Sequence, residues 1–447
     1  MNFHPPAPER HAKPLTSFQF ISTLARNPLA VWSHEVFEEK LLRFDWMGLP
    51  TIVVSDPEAI RYVLVEKNFA LDPLRQRILR PILRDGLLTT EGDYWKRTRK
   101  AIAPVFALRH IHSFAPIMQQ QAERSVKILE GHVGTVRDVA EDMIMLTYNI
   151  LEATLFSGDM PGKPEDFADL VAGMLKSMGK VDPMDVLDAP AFIPRFRLMM
   201  GRRWQEGTRK LVIEVIDYRR KQMAAGAEAA PRDLLTLLLE ADGLSENEIV
   251  DNIITFLAAG HETTARSLAW ALYLLSQFPE ERAWLEAEID AHDFDSDPMS
   301  WGDALPRTRA VFEESMRLYP PVPTLNRTAR EPDRIGHLDV PKGAAVLVLP
   351  WVLHRHKAHW DKPDTFVPER FMPGKRQSID RYQYLPFSAG PKVCIGASFG
   401  MQEGIIALAT ILRHLRFDFV GKKHPMPVQK ITVIPEGGIP MRAMRRN

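Results

Sequence analysis

The sequence contains one cysteine, Cys394, in a glycine-containing loop ahead of an amphipathic helix. The loop reads Phe387-Ser388-Ala389-Gly390-Pro391-Lys392-Val393-Cys394-Ile395-Gly396. A thiol binds a metal as its anion, and backbone N–H groups and a helix N-terminus both favour that anion. Gly390 and Gly396 would let the backbone and a flat ligand approach the sulfur closely. Taken alone, such a cysteine is more often an inert core thiol, so both interpretations are open at this point.

A second chemical pattern, Ala258-Ala259-Gly260-His261-Glu262-Thr263-Thr264, lies within a long apolar segment of helical period. Glycine costs a helix interior about 1 kcal/mol relative to alanine, so something other than helix stability favours it there. The small residues at 259 and 260 would let a flat cofactor and a diatomic ligand approach the backbone. A threonine hydroxyl can loosen the turn by bonding the i−4 carbonyl. Close packing on a neighbouring helix would explain the same small residues.

Two further pairs of side chains share a helix face. Glu314 and Arg317 stand at i and i+3, and Trp95 and Arg99 stand at i and i+4. Either pair alone is more often an ordinary surface contact. A further arginine, Arg370, lies in the segment Pro-Glu-Arg-Phe.

Composition indicates an ordinary globular chain of 447 residues, 45% hydrophobic and 26% charged. The 57 basic and 57 acidic residues give zero net charge, so no overall field indicates nucleic acid or an anionic membrane as a partner. The single cysteine excludes an internal disulfide and fits a reducing compartment. The N-terminus lacks the apolar core of a signal peptide, and the apolar stretch 253–278 contains His261, Glu262 and Arg266, which disfavour a membrane span. We therefore expect a cytoplasmic monomer without a transmembrane segment.

Periodicity predicts a mainly α fold with a small β region. Apolar residues that recur about every 3.6 positions predict helices at 143–155, 211–223, 234–240, 253–278 and 405–415. The segment 51–54 is predicted as a strand, followed by a helix that opens at Pro57. A strand pair is predicted from 337–341 and 344–349. Since no repeat or flexible linker divides the chain, we expect a single domain over 1–447.

The cysteine loop has the form F-x-x-G-x-K-x-C-x-G and resembles the ligand loop of the cytochrome P450 family. Other motifs match the same family in the same order and together cover most of the chain. The string Ala258–Thr264 resembles its oxygen-binding helix, Glu314 and Arg317 its E-x-x-R helix, and the segment at Arg370 its P-E-R-F motif. The resemblance implies the α-rich cytochrome P450 fold, with haem b (iron protoporphyrin IX) between the oxygen-binding helix and the cysteine loop. It also implies a buried network of Glu314, Arg317 and Arg370 behind that loop.

The resemblance further implies which residues contact the haem and the substrate. Cys394 would be the metal ligand, and Trp95 and Arg99 would bind a propionate, which suits the planar guanidinium. The other expected cofactor contacts are Ala259, Gly260, Arg327, Phe387, Gly390, Lys392 and Gly396. Small or apolar side chains that suit a lipophilic substrate are expected at Leu88, Ala258, Val322, Thr324 and Ile439. Ser388 and Lys392 depart mildly from the family, where glycine and then arginine or histidine are commoner.

The consecutive acid and alcohol, Glu262 and Thr263, are the catalytic residues that the resemblance implies. Thr263 would hydrogen-bond the dioxygen substrate while Glu262 relays protons from solvent. The Cys394 thiolate would push electron density toward the oxygen and favour cleavage of the O–O bond. The chain is therefore expected to be a monooxygenase that inserts one oxygen atom of dioxygen into an organic substrate.

Two other functions remain open, namely a peroxide-driven peroxygenase or isomerase that needs no external electrons, and a haem-based sensor. The acid–alcohol pair counts against the first, because such enzymes usually lack it. A sensor would need an output domain, and the sequence shows none. The chain ends at Asn447, too soon after Cys394 for a fused flavin reductase. A separate ferredoxin and its reductase are therefore the expected electron donors.

Two groups of basic residues could bind partners. An acidic ferredoxin is expected to dock over the cysteine loop and beside the Trp95 helix. The positive patch expected there consists of Lys96, Arg97, Lys100, Arg109 and Lys392. The second group consists of Arg75, Arg77, Arg80 and Arg84. A solvated basic face explains this second group simply, and the sharper hypothesis is that one of its arginines binds a substrate carboxylate.

Overall fold

The computed structural model describes residues 3–46, 48–67, 69–158, 164–178, 196–226 and 230–446. Helices dominate and the strands are short, so the predicted mainly α fold with a small β region is confirmed. The helices are α1 Ser17–Arg26, α2 Pro57–Arg61, α3 Pro73–Leu83, α4 Gly92–Ile102, α5 Leu108–Ser113, α6 Ala115–Glu130, α7 Val139–Phe156, α8 Pro164–Met178, α9 Phe196–Ala225, α10 Leu234–Leu239, α11 Glu246–Gln277, α12 Pro279–Ala291, α13 Trp301–Ala304, α14 Pro306–Leu318, α15 Pro350–Leu353 and α16 Ala397–His414.

The strands are β1 Leu41–Trp46, β2 Leu49–Val54, β3 Ala70–Leu71, β4 Val136–Asp138, β5 Leu325–Thr328, β6 Asp333–Ile335, β7 Leu338–Val340, β8 Ala345–Val348, β9 Leu415–Phe419, β10 Pro427–Gln429, β11 Val433–Pro435 and β12 Pro440–Arg445. The predicted helices are present as α7, α9, α10, α11 and α16, and the predicted strand at 51–54 is present in β2. The helix predicted at Pro57 is α2, where the Asp56 side chain accepts a hydrogen bond from the backbone N–H of Ala59.

Contacts divide the chain into two compact units, each assembled from separate stretches. The first unit comprises Met1–Ala70, Met118–Leu146 and Thr263–Asn447. The second unit comprises Leu71–Ile117 and Thr147–Glu262. The expectation of a single domain stays a prediction.

In the first unit a mixed sheet has the strand order β1-β2-β8-β5-β3. Strand β2 pairs antiparallel with β1 and parallel with β8, which aligns Ile52 with Val346 and Val54 with Val348. These four β-branched side chains lie on one face and are buried, and Val53 and Leu347 on the opposite face are buried as well, which suits the centre of a sheet that is covered on both faces. Strand β5 pairs antiparallel with β8 and carries Arg327 opposite Val346. The sheet therefore fixes the backbone of one expected haem contact.

The predicted pairing of 337–341 with 344–349 is wrong, although a strand forms in each segment. Strand β7 pairs instead with β6 across a turn at Gly336, where φ is +56°. Strand β8 pairs with β2 and β5. The apolar residues of β8 are removed from water in the sheet, and pairing with the short and partly exposed β7 would bury less apolar surface.

In the second unit, close helix contacts and buried polar bonds position α7, α8, α9 and α10. A Cβ added at Gly173 of α8 would lie 2.1 Å from the Trp204 ring of α9, so only glycine allows this approach. The fully buried Arg219 of α9 donates hydrogen bonds to the Asp233 carboxylate and to the Phe156 carbonyl. These bonds hold α9 against the start of α10 and the end of α7.

Helix α11 is the long helix predicted from the apolar stretch 253–278. In the second unit its first half fixes the segment between α3 and α4, because the Leu87 N–H donates to the Asn252 side chain at 3.0 Å. The start of α3 is bound as well, since the Leu71 N–H donates to the Glu91 carboxylate at 2.7 Å. Among the residues described, no helix is both long enough and apolar enough to cross a membrane.

Candidate active site

In the first unit, Cys394 lies in a tight loop just before α16. Its N–H donates to the Phe387 carbonyl at 2.9 Å, and the Val393 N–H donates to the Gly390 carbonyl at 3.0 Å. The cysteine is exposed, which excludes the interpretation of Cys394 as an inert core thiol. Helix α16 begins at Ala397, three residues after Cys394 in the chain.

The loop backbone depends on Gly390. Its φ is +70°, and an added Cβ would lie 2.2 Å from the Leu64 carbonyl oxygen, so both conformation and space require glycine. Ser388, one of the mild departures from the family pattern, also has a positive φ of +63°. Gly396 has an ordinary φ, and no atom outside its immediate neighbours lies within 4 Å of an added Cβ. The surface beside Gly396 is therefore open to a flat ligand.

Glu314, Arg317 and Arg370 form the buried network expected behind the loop. Arg317 makes a bidentate pair with the Glu314 carboxylate at 2.6 and 2.8 Å, and both side chains are fully buried. Arg370 donates to the same carboxylate at 3.3 Å, and so does the Val367 N–H at 2.8 Å. Arg317 also donates to the His354 carbonyl at 2.6 Å. The two arginines share one carboxylate, so removal of Glu314 would leave both guanidinium groups without their acidic partner.

His354 connects this network with the cysteine loop. Its Nε2 accepts a hydrogen bond from the Leu385 N–H at 2.9 Å, two residues before Phe387. Burial is the main cause that lowers the pKa of His354 well below its ordinary value, and Arg317 and Arg355 lower it further. The imidazole is therefore neutral, as a nitrogen that accepts a hydrogen bond must be. Sequence reasoning missed this residue, because its role depends on contacts between distant segments.

In the second unit, the small residues of α11 interrupt an otherwise buried helix. Ala259 is exposed, and Ala258 and Gly260 are half-buried, whereas residues 249–257 are buried throughout. Gly260 also packs on α7, since an added Cβ would lie 3.1 Å from a Leu151 methyl group. Close packing therefore accounts for Gly260 in part, and the accessible surface at 258–259 remains for a ligand.

The part of α11 that belongs to the first unit begins at Thr263. Thr263 is half-buried and Thr264 is buried. The Thr263 carbonyl accepts a hydrogen bond from the Ser267 hydroxyl at 3.1 Å. Glu262, the preceding residue in the chain, is half-buried in the second unit. Partial accessibility is what a residue needs if it is to exchange protons with solvent.

Glu403 of α16 is a further buried acid near this segment that sequence reasoning missed. Neither carboxyl oxygen has a hydrogen-bond partner of good geometry among the described residues. Burial raises its pKa to about 8, and the nearby Thr264 hydroxyl opposes that rise. The carboxyl is therefore protonated at neutral pH. The available signal was a single glutamate at the start of the apolar run 404–412.

Within each unit, the other predicted site residues are buried or half-buried. In the second unit Trp95 is buried, and Arg99 and Leu88 are half-buried. In the first unit Arg327 is buried, and the half-buried residues are Val322, Thr324, Phe387 and Lys392. Ile439 has no accessible surface, so its contact with a substrate stays a prediction.

The residues of both units fit haem by their chemistry. The first unit offers an exposed sulfur beside an open glycine surface, and the second offers an aromatic–arginine pair on α4 and small residues on α11. A thiolate suits haem iron as an axial ligand, and a guanidinium suits a propionate carboxylate. No cluster of three or more acidic, histidine or cysteine side chains that could hold another metal occurs in the described ranges.

Comparisons with known proteins agree with this chemistry. The family model for cytochrome P450 matches residues 5–440. Cyclooctatin synthase of Streptomyces melanosporofaciens is 31% identical over 93% of this chain and 92% of its own length. Human cytochrome P450 4V2 is 29% identical over 90% of this chain and 82% of its own length. The crystal structure of the cytochrome P450DA heme domain covers 99% of this chain and 98% of its own, with 26% identity and a TM-score of 0.81.

These matches identify haem b as the cofactor and the activity as that of a monooxygenase, an oxidoreductase. Such an enzyme requires dioxygen, a lipophilic substrate and a redox partner. Because the family model spans nearly the whole chain, and a relative that is 31% identical matches over 93% of it, the chain belongs to the cytochrome P450 family.

Proposed function

We propose that this enzyme hydroxylates a lipophilic small molecule with two electrons from a ferredoxin, which a separate reductase recharges. The reaction consumes one dioxygen, two electrons and two protons, and yields the alcohol and one water. When bound, haem supplies the iron centre that activates dioxygen. The observation that carries the proposal is the exposed sulfur of Cys394, in a loop supported by the buried Glu314–Arg317–Arg370 network. The single cysteine also fits a reducing, cytoplasmic location.

Proton delivery is assigned to Glu262 and Thr263. They are consecutive residues of α11 and both are half-buried, so each has some accessible surface. The Thr263 hydroxyl would donate a hydrogen bond to dioxygen, and the Glu262 carboxylate would take protons from solvent and pass them on. A peroxygenase would not need this delivery, because peroxide already carries both protons and both electrons.

The substrate environment is assigned to residues that are partly accessible in each unit. Leu88 and Ala258 contribute in the second unit, and Val322 and Thr324 in the first. Apolar and small side chains disfavour a highly polar substrate, because its groups would lose water without gaining partners.

The thiolate assignment is tested on the reduced protein under carbon monoxide. We expect the red-shifted Soret band of thiolate ligation in the wild type and its loss in Cys394→Ser. If the variant keeps that band, Cys394 is not the ligand.

The proton-delivery assignment is tested by the yield of product per electron. In Thr263→Ala we expect haem and substrate binding to persist while more of the electrons end in peroxide or water. Ser276→Ala, near the end of the same helix, is the matched control. The peroxygenase would be favoured if hydrogen peroxide supports product formation at the rate seen with reduced ferredoxin. The rate with peroxide should then be the same in Thr263→Ala as in the wild type.

The proposed ferredoxin contact uses exposed cations of the second unit. Lys100 and Arg109 are exposed, whereas Arg97 pairs with the buried Glu248 and Lys96 pairs with Asp93 at 3.2 Å. Arg97 is therefore partly neutralised within the protein and contributes less to steering than the sequence alone indicates. Lys100 and Arg109 are the better choices for charge reversal.

Charge reversal should slow the first electron transfer from an acidic ferredoxin. For Lys100→Glu and Arg109→Glu we expect a lower rate and a weaker salt dependence, because ions screen such charges over about 8 Å at physiological ionic strength. Lys210→Glu, an exposed lysine of α9, is the control. If the rate of the first electron transfer changes neither with these charge reversals nor with ionic strength, the proposed ferredoxin contact is wrong. The assignment of Cys394 as the thiolate ligand would be unaffected.

A further inference from the structure

Helix α7 contacts α11 at the neighbouring residues Gly260 and His261. The Thr147 hydroxyl donates a hydrogen bond to the His261 carbonyl at 3.0 Å, and both residues are buried. The Tyr148 and His261 rings pack in a T-shaped arrangement, with their centroids 6.0 Å apart. One turn further along α7, a Leu151 methyl group lies 3.1 Å from a Cβ added at Gly260. All of these contacts lie within the second unit.

The carbonyl that Thr147 binds belongs to the peptide group between His261 and Glu262. In a regular helix each carbonyl pairs with the N–H four residues later, so the Thr147 hydroxyl is an additional donor that comes from another helix. Because the peptide group is planar, holding this carbonyl also fixes the plane from which the Glu262 residue continues. Thr147 therefore acts on the backbone of the residue to which proton delivery is assigned.

The turn before Glu262 has a second additional donor. His261 Nδ1 lies 2.9 Å from the Leu257 carbonyl, and since a carbonyl oxygen only accepts, Nδ1 carries the proton of this bond. A side chain that shares the carbonyl four residues earlier competes with the helix N–H and loosens the turn. The small residues 258–260, which keep accessible surface, lie in this turn. The bond from α7 restrains the end of a turn that is otherwise free to shift.

We infer that Thr147 is a positioning residue for proton delivery, because its hydroxyl holds the peptide group from which Glu262 extends. The inference rests on the proposed function, which assigns the relay of protons to Glu262. The Thr147 hydroxyl takes no part in the relay itself, since it donates to a backbone carbonyl. Without the hydroxyl, α7 and α11 keep their contacts through Tyr148 and Leu151, but this peptide group can change direction.

The test uses Thr147→Val, which keeps the shape of the side chain and removes the hydroxyl, and Thr147→Ser, which keeps the hydroxyl. Thr154→Val is the matched control. Thr154 is also fully buried in α7, about two turns further on, but its hydroxyl donates to the Ile150 carbonyl of the same helix at 2.8 Å. The control therefore removes a buried hydroxyl whose bond lies within α7.

The first measurement is amide hydrogen exchange of the resting holoenzyme, followed by mass spectrometry of peptides from α11. Peptides that include residues 258–265 should exchange about 2- to 10-fold faster in Thr147→Val, the range that the loss of one neutral hydrogen bond corresponds to. Thr147→Ser and Thr154→Val should match the wild type over the same peptides. This measurement needs neither substrate nor turnover.

The second measurement is the yield of product per electron, in the wild type and in Glu262→Gln. In the wild-type background Thr147→Val should lower the yield about 2- to 10-fold with unchanged substrate affinity, and Thr147→Ser should keep it. If Thr147 acts through Glu262, Thr147→Val should have no further effect in Glu262→Gln. A residue that only stabilises the fold would lower the yield in both backgrounds.

Two results would overturn the inference. They are exchange of α11 in Thr147→Val that matches Thr154→Val, and a yield that Thr147→Val lowers equally in both backgrounds. A wild-type yield in Glu262→Gln would reject the assignment of proton delivery in the proposed function, and the inference with it. A lower yield in Glu262→Gln, together with wild-type exchange and yield in Thr147→Val, would reject only the inference.

Discussion

Replacing Glu403 by glutamine should change how the stability of this enzyme depends on pH. The glutamate is fully buried in α16, and burial raises its pKa from the ordinary 4.5 to about 8. Glutamine has nearly the same shape but cannot ionise. The substitution therefore isolates the free energy of placing a carboxylate in this interior.

The sign follows from which state binds more protons. Between pH 4.5 and 8 the folded protein keeps Glu403 protonated while the unfolded chain releases that proton, so the free energy of unfolding falls as pH rises and levels off above pH 8. Each tenfold change in proton affinity is worth 1.36 kcal/mol, so the whole effect amounts to about 5 kcal/mol. Glu403→Gln lacks this dependence. At pH 5 the wild type and the variant should differ little, and at pH 8 the variant should be more stable by up to about 5 kcal/mol.

The measurement is urea unfolding of both holoenzymes at intervals from pH 5 to pH 8, followed by circular dichroism. Other titrating groups cancel in the difference between wild type and variant. Glu280→Gln, an exposed glutamate of α12, should follow the wild type at every pH. A wild-type-minus-variant difference that stays constant within about 1 kcal/mol over this range would show that Glu403 ionises as an ordinary glutamate. The burial argument would then be refuted.

Further predictions concern the cysteine loop and the network behind it. Gly390→Ala places a Cβ 2.2 Å from the Leu64 carbonyl oxygen at a φ of +70°, so the purified protein should retain less haem and melt at a lower temperature. Glu314→Gln leaves two arginines without their carboxylate and should cost about 3–5 kcal/mol in urea unfolding. Glu369→Gln removes only an exposed pair in the neighbouring segment and should cost less than about 1 kcal/mol in the same assay. Ser388→Gly relieves a positive φ, so its melting temperature should not fall.

The helices were predicted well because the spacing of apolar residues within one segment is enough to indicate a helix. The 3.6-residue period predicts α7, α9, α11 and α16. The pairing of β8 was beyond such reasoning, since its partner β2 is distant along the chain and its partner β5 is separated from it by the paired strands β6 and β7. Two strands close in sequence form a hairpin only if no other partner buries more apolar surface. The sequence alone does not reveal that competition.

The electrostatic environment of individual residues was the least predictable part of the site. Helical spacing alone separates Arg75 from Arg80 and Arg84, yet which face is buried depends on how α3 packs. Glu403 is similar, because one glutamate in an apolar helix can face solvent, a counter-charge or the core. Glu403 stands out only when its full burial and the lack of a hydrogen-bond partner for its carboxyl oxygens within the described ranges are known together.

The sequence and the structure give different reasons for the glycine at position 390. The sequence indicates that glycine here lets the backbone approach the sulfur and a flat ligand. In the structure, the requirement already arises within the protein, from a positive φ and from the Leu64 carbonyl 2.2 Å from an added Cβ. Gly396 differs, because an added Cβ would meet no atom within 4 Å outside its immediate neighbours. The first glycine therefore shapes the loop that holds Cys394, whereas the second leaves space beside it. An alanine at 390 should damage folding and haem retention together, and an alanine at 396 should act on haem retention alone.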